Sequence, residues 1–232
     1  MGIRAVVLDM DGLMLDTEPI YKSAWQQAAA ELGFDLDDQW YSRLIGRPNP
    51  DCERELMHRF GSEFPMSRFK ARWPKLWQSS VNAQGIPTKT GLLALLSFVE
   101  EHALLSAVAT SSDGAYTEFS LRSAGLVDRF KAVVTGDQIT RGKPAPDIYL
   151  EAAQRLGLEP TECVALEDSD AGVLAASAAG MVTLCIPDLK PPSQAAAHAA
   201  SCVLGSLDEA RERIGAMLAR EGDSLKTETS ER

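Results

Sequence analysis

Short, nearly continuous apolar runs recur along the chain and predict buried strands. They are Ile3–Leu8, Leu105–Ala109, Ala132–Val134, Cys163–Leu166 and Val182–Ile186. Strands that are covered on both faces have this pattern because neither face meets water. Helical periodicities separate the later runs, at Gly91–His102, Ala115–Ala124, Pro146–Leu156 and Ala171–Ala179. This alternation of strand and helix predicts an α/β fold with a mostly parallel sheet.

One long segment lacks the alternation. From about Thr17 to Gln84 the sequence shows helical periodicities and loop breaks but no convincing strand, and all four tryptophans fall there. We therefore expect a helical domain inserted into the α/β core. The core would comprise residues 1–16 and 87–218, the insert residues 17–86, and the last helix residues 207–218. Residues 219–232 are charged and poor in apolar side chains, so we expect a disordered tail.

The overall charge narrows the range of partners. The formal net charge of −10 would repel nucleic acid and anionic membrane surfaces. The first apolar run is too short for a signal sequence or a membrane span. Four scattered cysteines without metal-ligand spacing fit free thiols in a reducing cytoplasm. The sequence thus predicts a cytoplasmic protein without nucleic-acid or membrane partners, and we take a monomer as the default.

Two carboxylates follow the first apolar run, in Asp9-Met10-Asp11-Gly12. Ligands of open α/β sheets bind beyond the carboxyl ends of the strands, so these side chains face the expected site. In an extended segment, residues two apart point the same way, and two crowded carboxylates repel each other unless a cation or a shared proton intervenes. An ordinary strand-ending turn would also use Asp and Gly.

Three further segments carry polar side chains near later strands. Thr110 and Ser111 offer hydroxyls and backbone N–H groups suited to a phosphate, although plain helix capping would use the same residue types. Glu167 and Asp168 are oxygen ligands of the kind that hard cations prefer, or else an acidic helix start. Lys143 lies in a Gly/Pro-rich loop, where a lysine is usually solvated. Their joint occurrence after strands favours a functional site.

The charges suggest a mechanism. A phosphate dianion would be repelled by these acidic groups unless a cation bound with it, and Mg²⁺ suits carboxylates together with phosphate oxygens. Lys143 and the hydroxyl donors would neutralise the remaining phosphate oxygens. One carboxylate would attack phosphorus to form an aspartyl-phosphate. The other would protonate the leaving oxygen and then activate water. The substrate would be a small phosphorylated metabolite.

The four segments resemble the four ordered motifs of the haloacid dehalogenase-like superfamily, in its phosphatase and β-phosphoglucomutase-like branch. The matching pieces are Asp9-Met10-Asp11-Gly12, Thr110-Ser111, Gly142-Lys143-Pro144 and Glu167-Asp168. The resemblance spans about Val6 to Gly180. It implies a Rossmann-like, mostly parallel core with a small helical cap that closes over the site.

The resemblance also assigns roles to residues. It implies that Asp9 is the nucleophile and Asp11 the acid/base. Mg²⁺ would be held by Asp9, the backbone carbonyl of Asp11 and Asp168, with Glu167 as a direct or water-mediated ligand. Thr110, Ser111 and Lys143 would bind the phosphoryl group. In the cap, the residues expected to face the substrate are Glu18, Tyr21, Gly46 and Arg47.

Relatives with other activities differ at particular residues. Haloacid dehalogenases lack the second aspartate and need no metal, so Asp11 disfavours dehalogenation. The closer alternative is a sugar-phosphate mutase related to β-phosphoglucomutase. Those enzymes carry a hinge histidine where this chain has Tyr21, and a cap arginine where it has Asn49. The sequence therefore favours a phosphatase acting on sugar phosphates or nucleoside monophosphates.

Two alternatives come from other classes of protein. A signalling receiver domain also gathers aspartates, a hydroxyl and a lysine around Mg²⁺. However, its acidic pair is usually adjacent in sequence, and it lacks a large helical insert. A binding protein that keeps the fold as a scaffold is the other alternative, since fold alone does not decide function. Every expected catalytic position is filled, which favours the enzyme.

Overall fold

The computed structural model describes residues 2–44 and 49–230, with side chains in the ranges 2–44 and 51–220. The strands in these ranges are β1 (Ala5–Leu8), β2 (Leu105–Ala109), β3 (Ala132–Val134), β4 (Cys163–Glu167), β5 (Val182–Cys185) and β6 (Cys202–Val203). The helices are α1 (Glu18–Glu31), α2 (Asp38–Tyr41), α3 (Asn49–Phe60), α4 (Met66–Gln84), α5 (Leu92–Glu101), α6 (Gly114–Ser123), α7 (Asp147–Leu156), α8 (Asp170–Ala178), α9 (Gln194–Ala199) and α10 (Leu207–Ser230). Short 3₁₀ helices cover Gly136–Gln138 and Pro160–Glu162.

The strands form one parallel sheet in the order β3-β2-β1-β4-β5-β6. β1 therefore lies between β2 and β4, and Leu8 is in register with both Val108 and Leu166. Every residue of β1 and β4 is buried, as their apolar residues predict, and the burial extends to Glu167 at the end of β4. The predicted α/β fold with a mostly parallel sheet is confirmed.

Helices on the sheet bury the faces of the central strands. One core cluster joins Val7 of β1 and Ala107 of β2 to Tyr149 of α7 and Ala175 of α8. Small alanines on the strands allow these helices to approach closely, and the larger side chains come from α7. The packing holds the carboxyl ends of β1, β2 and β4 in fixed positions.

Three elements differ from the sequence-based expectation. α9 and β6 were not predicted, because α9 is a short alanine-rich helix and β6 has only two residues. α10 continues to Ser230, whereas the predicted helix ends at Leu218 and a disordered tail follows. Its later residues include Lys and Glu, which are good helix formers, so the backbone can continue the helix without an apolar face.

The chain divides into two compact units. One comprises Met1–Leu15 and Thr88–Arg232, and the other is Asp16–Pro87. The second unit has its own aromatic core, in which Trp25, Leu56 and Phe69 are buried. Within the described ranges, no helix is both long enough and apolar enough to cross a membrane.

Candidate active site

The site lies at the carboxyl ends of three neighbouring strands. Asp9 follows β1 directly, Thr110 follows β2, and Glu167 is the last residue of β4. The Asp9 N–H donates to the Leu166 carbonyl at 3.1 Å, which extends the pairing of β1 with β4 by one residue. Since the three strands are parallel and adjacent, residues distant in sequence meet at one edge of the sheet.

Lys143 reaches this edge from the loop that precedes α7. Its ammonium group donates to Asp9 Oδ1, to Glu167 Oε1 at 2.5 Å and to the Ala109 carbonyl at 3.0 Å. Only 5% of its side chain is exposed. The interpretation of Lys143 as an ordinary solvated loop lysine is therefore wrong, because the loop turns it inward to bridge two buried carboxylates.

Glu167 accepts hydrogen bonds at both carboxylate oxygens. Oε1 accepts from Lys143 and from the Tyr149 hydroxyl at 2.6 Å. Oε2 accepts from the N–H groups of Asp168 and Ser169, at 3.1 and 3.2 Å, and from the Ser169 hydroxyl at 3.0 Å. The carboxylate fills the space beside Gly172, where a Cβ atom would lie 1.8 Å from Oε1. Only glycine leaves room for it.

Three carboxylates form a cluster that could bind a cation. Oxygens of Asp9, Glu167 and Asp168 lie within 4.8 Å of one another. Asp168 Oδ1 is buried and has no hydrogen-bond partner among the described residues. A Cβ atom at Gly12 would lie 2.4 Å from Asp168 Oδ2, so the backbone of the Asp11-Gly12 turn closely approaches this carboxylate. A buried carboxylate oxygen without a protein donor fits a hard divalent cation.

Burial and the charges of neighbouring groups shift the pKa values of the carboxylates and of Lys143. Burial raises the pKa of Asp9 to about 7, although the adjacent Lys143 ammonium opposes the shift. Burial, together with the charges of Asp9 and Glu167, raises the pKa of Asp168. Burial lowers the pKa of Lys143, but the two carboxylates it contacts outweigh that effect and leave its pKa raised. A cation near these carboxylates would favour their ionised forms.

Asp11 makes its own contacts with residues that follow β2. Its Oδ2 accepts from the Ser112 hydroxyl at 2.9 Å, and its Oδ1 accepts from the Tyr116 hydroxyl at 2.8 Å. The N-cap of α6 is Asp113, whose carboxylate accepts from the Tyr116 N–H. Capping therefore does not account for the hydroxyl residues before it.

The other predicted residues are distributed as follows. Thr110 is buried and its hydroxyl oxygen accepts from the Ser112 N–H at 3.1 Å, whereas Ser111 is exposed. Glu18 and Tyr21 belong to the helical unit, where the Tyr21 ring centroid lies 5.6 Å from that of Trp77. Their contact with a substrate stays a prediction. Gly46 and Arg47 lie outside the described residues.

Sequence reasoning missed several side chains that contact the site. They are Ser112, Tyr116, Tyr149 and Ser169. Ser112 and Ser169 stand within the polar segments that follow β2 and β4, where a serine is easily taken for a turn or capping residue. Tyr149 follows the Lys143 loop closely, but its place on the apolar face of α7 hides the role of its hydroxyl.

The sequence matches a known protein family over most of its length. Residues 6–186 match the model of a family described as haloacid dehalogenase-like hydrolase. The chain belongs to this family. The match includes every segment that builds the carboxylate and lysine cluster, and the predicted family is thereby confirmed.

Individual relatives indicate the branch of the family. A phosphorylated carbohydrates phosphatase of Thermotoga maritima is 33% identical over 179 residues, which cover 77% of this chain and 82% of the relative. The fructose-1-phosphate phosphatase YqaB of Escherichia coli is 34% identical over 190 residues, 76% of this chain and 92% of the relative. A crystal structure from Thermotoga maritima, provisionally assigned as a β-phosphoglucomutase, superposes with a TM-score of 0.82 at 29% identity, covering 93% of this chain and 100% of the other. These matches support the phosphatase branch, and the predicted enzyme class, a phosphoric monoester hydrolase, is confirmed.

Proposed function

We propose that this enzyme is an Mg²⁺-dependent phosphatase that hydrolyses a small phosphorylated metabolite through an aspartyl-phosphate on Asp9. The observation that supports this most is the arrangement around Lys143. A buried ammonium contacts the Asp9 carboxylate, with further carboxylates close by. One edge of the sheet therefore combines three things: a nucleophile, a positively charged side chain for the phosphoryl oxygens, and an acidic cluster for a metal ion.

Mg²⁺ fits the acidic cluster. Asp9 and Asp168 would hold it, together with the Asp11 backbone carbonyl that the family resemblance implies. Both oxygens of Glu167 already accept from protein donors, which favours a water-mediated contact over direct ligation. When bound, the ion neutralises phosphate charge and polarises a phosphoryl oxygen.

The side chains of the site would perform the two steps of the reaction, phosphoryl transfer to Asp9 and hydrolysis of the aspartyl-phosphate. The Asp9 carboxylate attacks phosphorus, and the bond from phosphorus to the leaving oxygen breaks as Asp11 gives that oxygen a proton. Lys143 and Thr110 bind the phosphoryl oxygens and offset their charge. Asp11 then takes a proton from water, which attacks the phosphorus of the aspartyl-phosphate. This step releases inorganic phosphate and restores the Asp9 carboxylate.

The names of two relatives support a substrate class. Two of them are named as phosphatases of phosphorylated carbohydrates and of fructose 1-phosphate. We infer that the substrate is a sugar phosphate or, as the second possibility, a nucleoside monophosphate. Its leaving group would be selected by the helical unit through Glu18, Tyr21, Gly46 and Arg47. The proposal also includes a cytoplasmic monomer without nucleic-acid or membrane partners.

A sugar-phosphate mutase is the second candidate. It is favoured by one observation, the TM-score of 0.82 with the structure assigned provisionally as a β-phosphoglucomutase. Two residues argue against it. The chain has Tyr21 where such mutases have the hinge histidine, and Asn49 where they have the cap arginine. A mutase would return the phosphoryl group to a sugar instead of to water.

The test is phosphate release from a panel of sugar phosphates, nucleoside monophosphates and p-nitrophenyl phosphate, with Mg²⁺ or with EDTA. We expect Mg²⁺-dependent release that Asp9→Asn lowers by at least about a thousandfold, since the covalent route is lost. Exposed Asp128 provides the matched control, and Asp128→Asn should retain full activity.

Asp11→Asn separates the two chemical steps. Nitrophenolate leaves without a proton, so this variant should give a burst close to stoichiometric with enzyme and then turn over slowly. Release by Asp9→Asn at the wild-type rate would exclude the mechanism. If no compound releases phosphate but a sugar phosphate is isomerised in the presence of a bisphosphate activator, the mutase is correct.

A further inference from the structure

Tyr149 occupies an unusual position for a tyrosine. It is the third residue of the 10-residue α7 and is fully buried in the core cluster that also contains Ala152 and Val7. Its hydroxyl donates to Glu167 Oε1 at 2.6 Å. Its ring lies below the Lys143 ammonium, 5.2 Å from the ring centroid. One side chain therefore touches both members of a buried ion pair.

Packing alone does not require this hydroxyl. Phenylalanine would fill the same apolar volume, and a buried hydroxyl is tolerated only where it finds a partner. A tyrosine hydroxyl carries its proton at neutral pH, and Glu167 Oε1 also accepts from Lys143. The hydroxyl can only donate to the carboxylate, which fixes the direction of the hydrogen bond.

We propose that Tyr149 is a positioning residue, which orients the Glu167 carboxylate and through it the Lys143 ammonium that binds the phosphoryl group. The inference rests on the proposed function, because it assigns Lys143 to the phosphoryl oxygens. It adds a residue whose effect on the phosphoryl group would pass through Glu167 and Lys143.

The hydrogen bonds around Lys143 explain the effect. The ammonium has three protons and contacts three acceptors, on Asp9, Glu167 and the Ala109 carbonyl. An incoming phosphoryl group competes for the proton that faces Asp9, so the other two contacts must hold the ammonium in place. Tyr149 occupies one lone pair of Glu167 Oε1 and leaves the other aimed at Lys143. Because Glu167 is fully buried, water cannot readily replace the lost donor.

The experiment compares Tyr149→Phe with a matched control. Thr183→Val removes a buried hydroxyl from β5, which pairs with β4, without touching Glu167 or Lys143. We measure kcat and KM on several substrates, and the affinity for inorganic phosphate by titration calorimetry. Tyr149→Phe should lower kcat/KM about tenfold, and by a similar factor for every substrate, because all share the phosphoryl group. Phosphate binding should weaken as well, while Thr183→Val stays within about twofold of the wild type.

A double-mutant cycle with Glu167→Gln tests whether Tyr149 affects phosphate binding through Glu167. If Tyr149 acts through Glu167, then Tyr149→Phe costs little further phosphate affinity in the Glu167→Gln background. The inference would be overturned if the losses of phosphate affinity in the two single variants were additive in the double variant. It would also be overturned if Tyr149→Phe left phosphate affinity unchanged, or if Thr183→Val lowered it equally. Phosphate binding needs no turnover, so a wild-type protein that binds phosphate without hydrolysing esters would refute the proposed function alone.

Discussion

Replacing Gly172 by alanine should destabilise the protein although the residue lies in a helix. Alanine in place of a helical glycine normally adds up to about 1 kcal/mol of stability. At Gly172 the new Cβ would lie 1.8 Å from Glu167 Oε1 and 1.9 Å from Cδ, so the carboxylate must move. Disrupting a buried ion pair costs about 3–5 kcal/mol. The expected net loss in the free energy of unfolding is therefore about 2–4 kcal/mol.

The assay is urea-induced unfolding of Gly172→Ala beside Gly215→Ala. Gly215 lies in α10, and a Cβ there would come no closer than 3.5 Å to the Phe98 ring, an ordinary van der Waals distance. Gly215→Ala should therefore be neutral or slightly stabilising. Opposite signs for the two substitutions are the expected result, with unchanged m-values so that the midpoints report stability.

Activity provides the second measurement for Gly172→Ala. Displacing Glu167 removes one of the contacts that hold Lys143, so phosphate ester hydrolysis should fall together with stability. If Gly172→Ala were as stable and as active as the wild type, the Glu167 carboxylate would not occupy the space beside this glycine. The conclusion that Glu167 holds the Lys143 ammonium in place would then be wrong.

Two further predictions concern the acidic cluster. The folded-state pKa of Asp9, about 7, lies above its usual 3.8, so the metal-free protein should lose stability as pH rises from about 4 to about 7. Mg²⁺ should therefore raise the unfolding temperature more at about pH 8 than at about pH 5, and an equal rise at both would contradict the assignment. Gly12→Ala and Gly33→Ala both place a side chain at positive φ, but only the first would meet Asp168, at 2.4 Å. Calorimetric titration with Mg²⁺ should show weaker binding in Gly12→Ala alone, and equal affinities would remove the link between Gly12 and the metal site.

Periodicity predicted the sheet well because its central strands are buried on both faces. β2 and β3 were predicted with their observed bounds, since an apolar run between polar loops leaves little ambiguity. β6 was not predicted because two residues are too few to show a period. α9 was not predicted because its alanines define no apolar face. Such elements are set by neighbours in the fold, which a local pattern does not contain.

The site followed from one geometric rule, that parallel strands present their carboxyl ends together. From the sequence alone, that rule predicts that Asp9 and Glu167 lie at the same edge of the sheet. It could not show that Lys143 points inward, because a loop residue carries no periodicity. Nor could it identify Tyr149, whose spacing on α7 indicates core packing while only the three-dimensional contact shows its hydrogen bond.

The position of β1 in the sheet has a consequence for synthesis of the chain. β1 pairs with β2 from Leu105 and with β4 from Cys163, and the helical unit lies between β1 and both partners in sequence. During translation, β1 is made before both of its partner strands and cannot pair until they have followed. Asp9 can therefore acquire its lysine and carboxylate neighbours only after β4 has been translated. The long loops that must close make this core slow to form, whereas Asp16–Pro87 can fold from local contacts while translation continues.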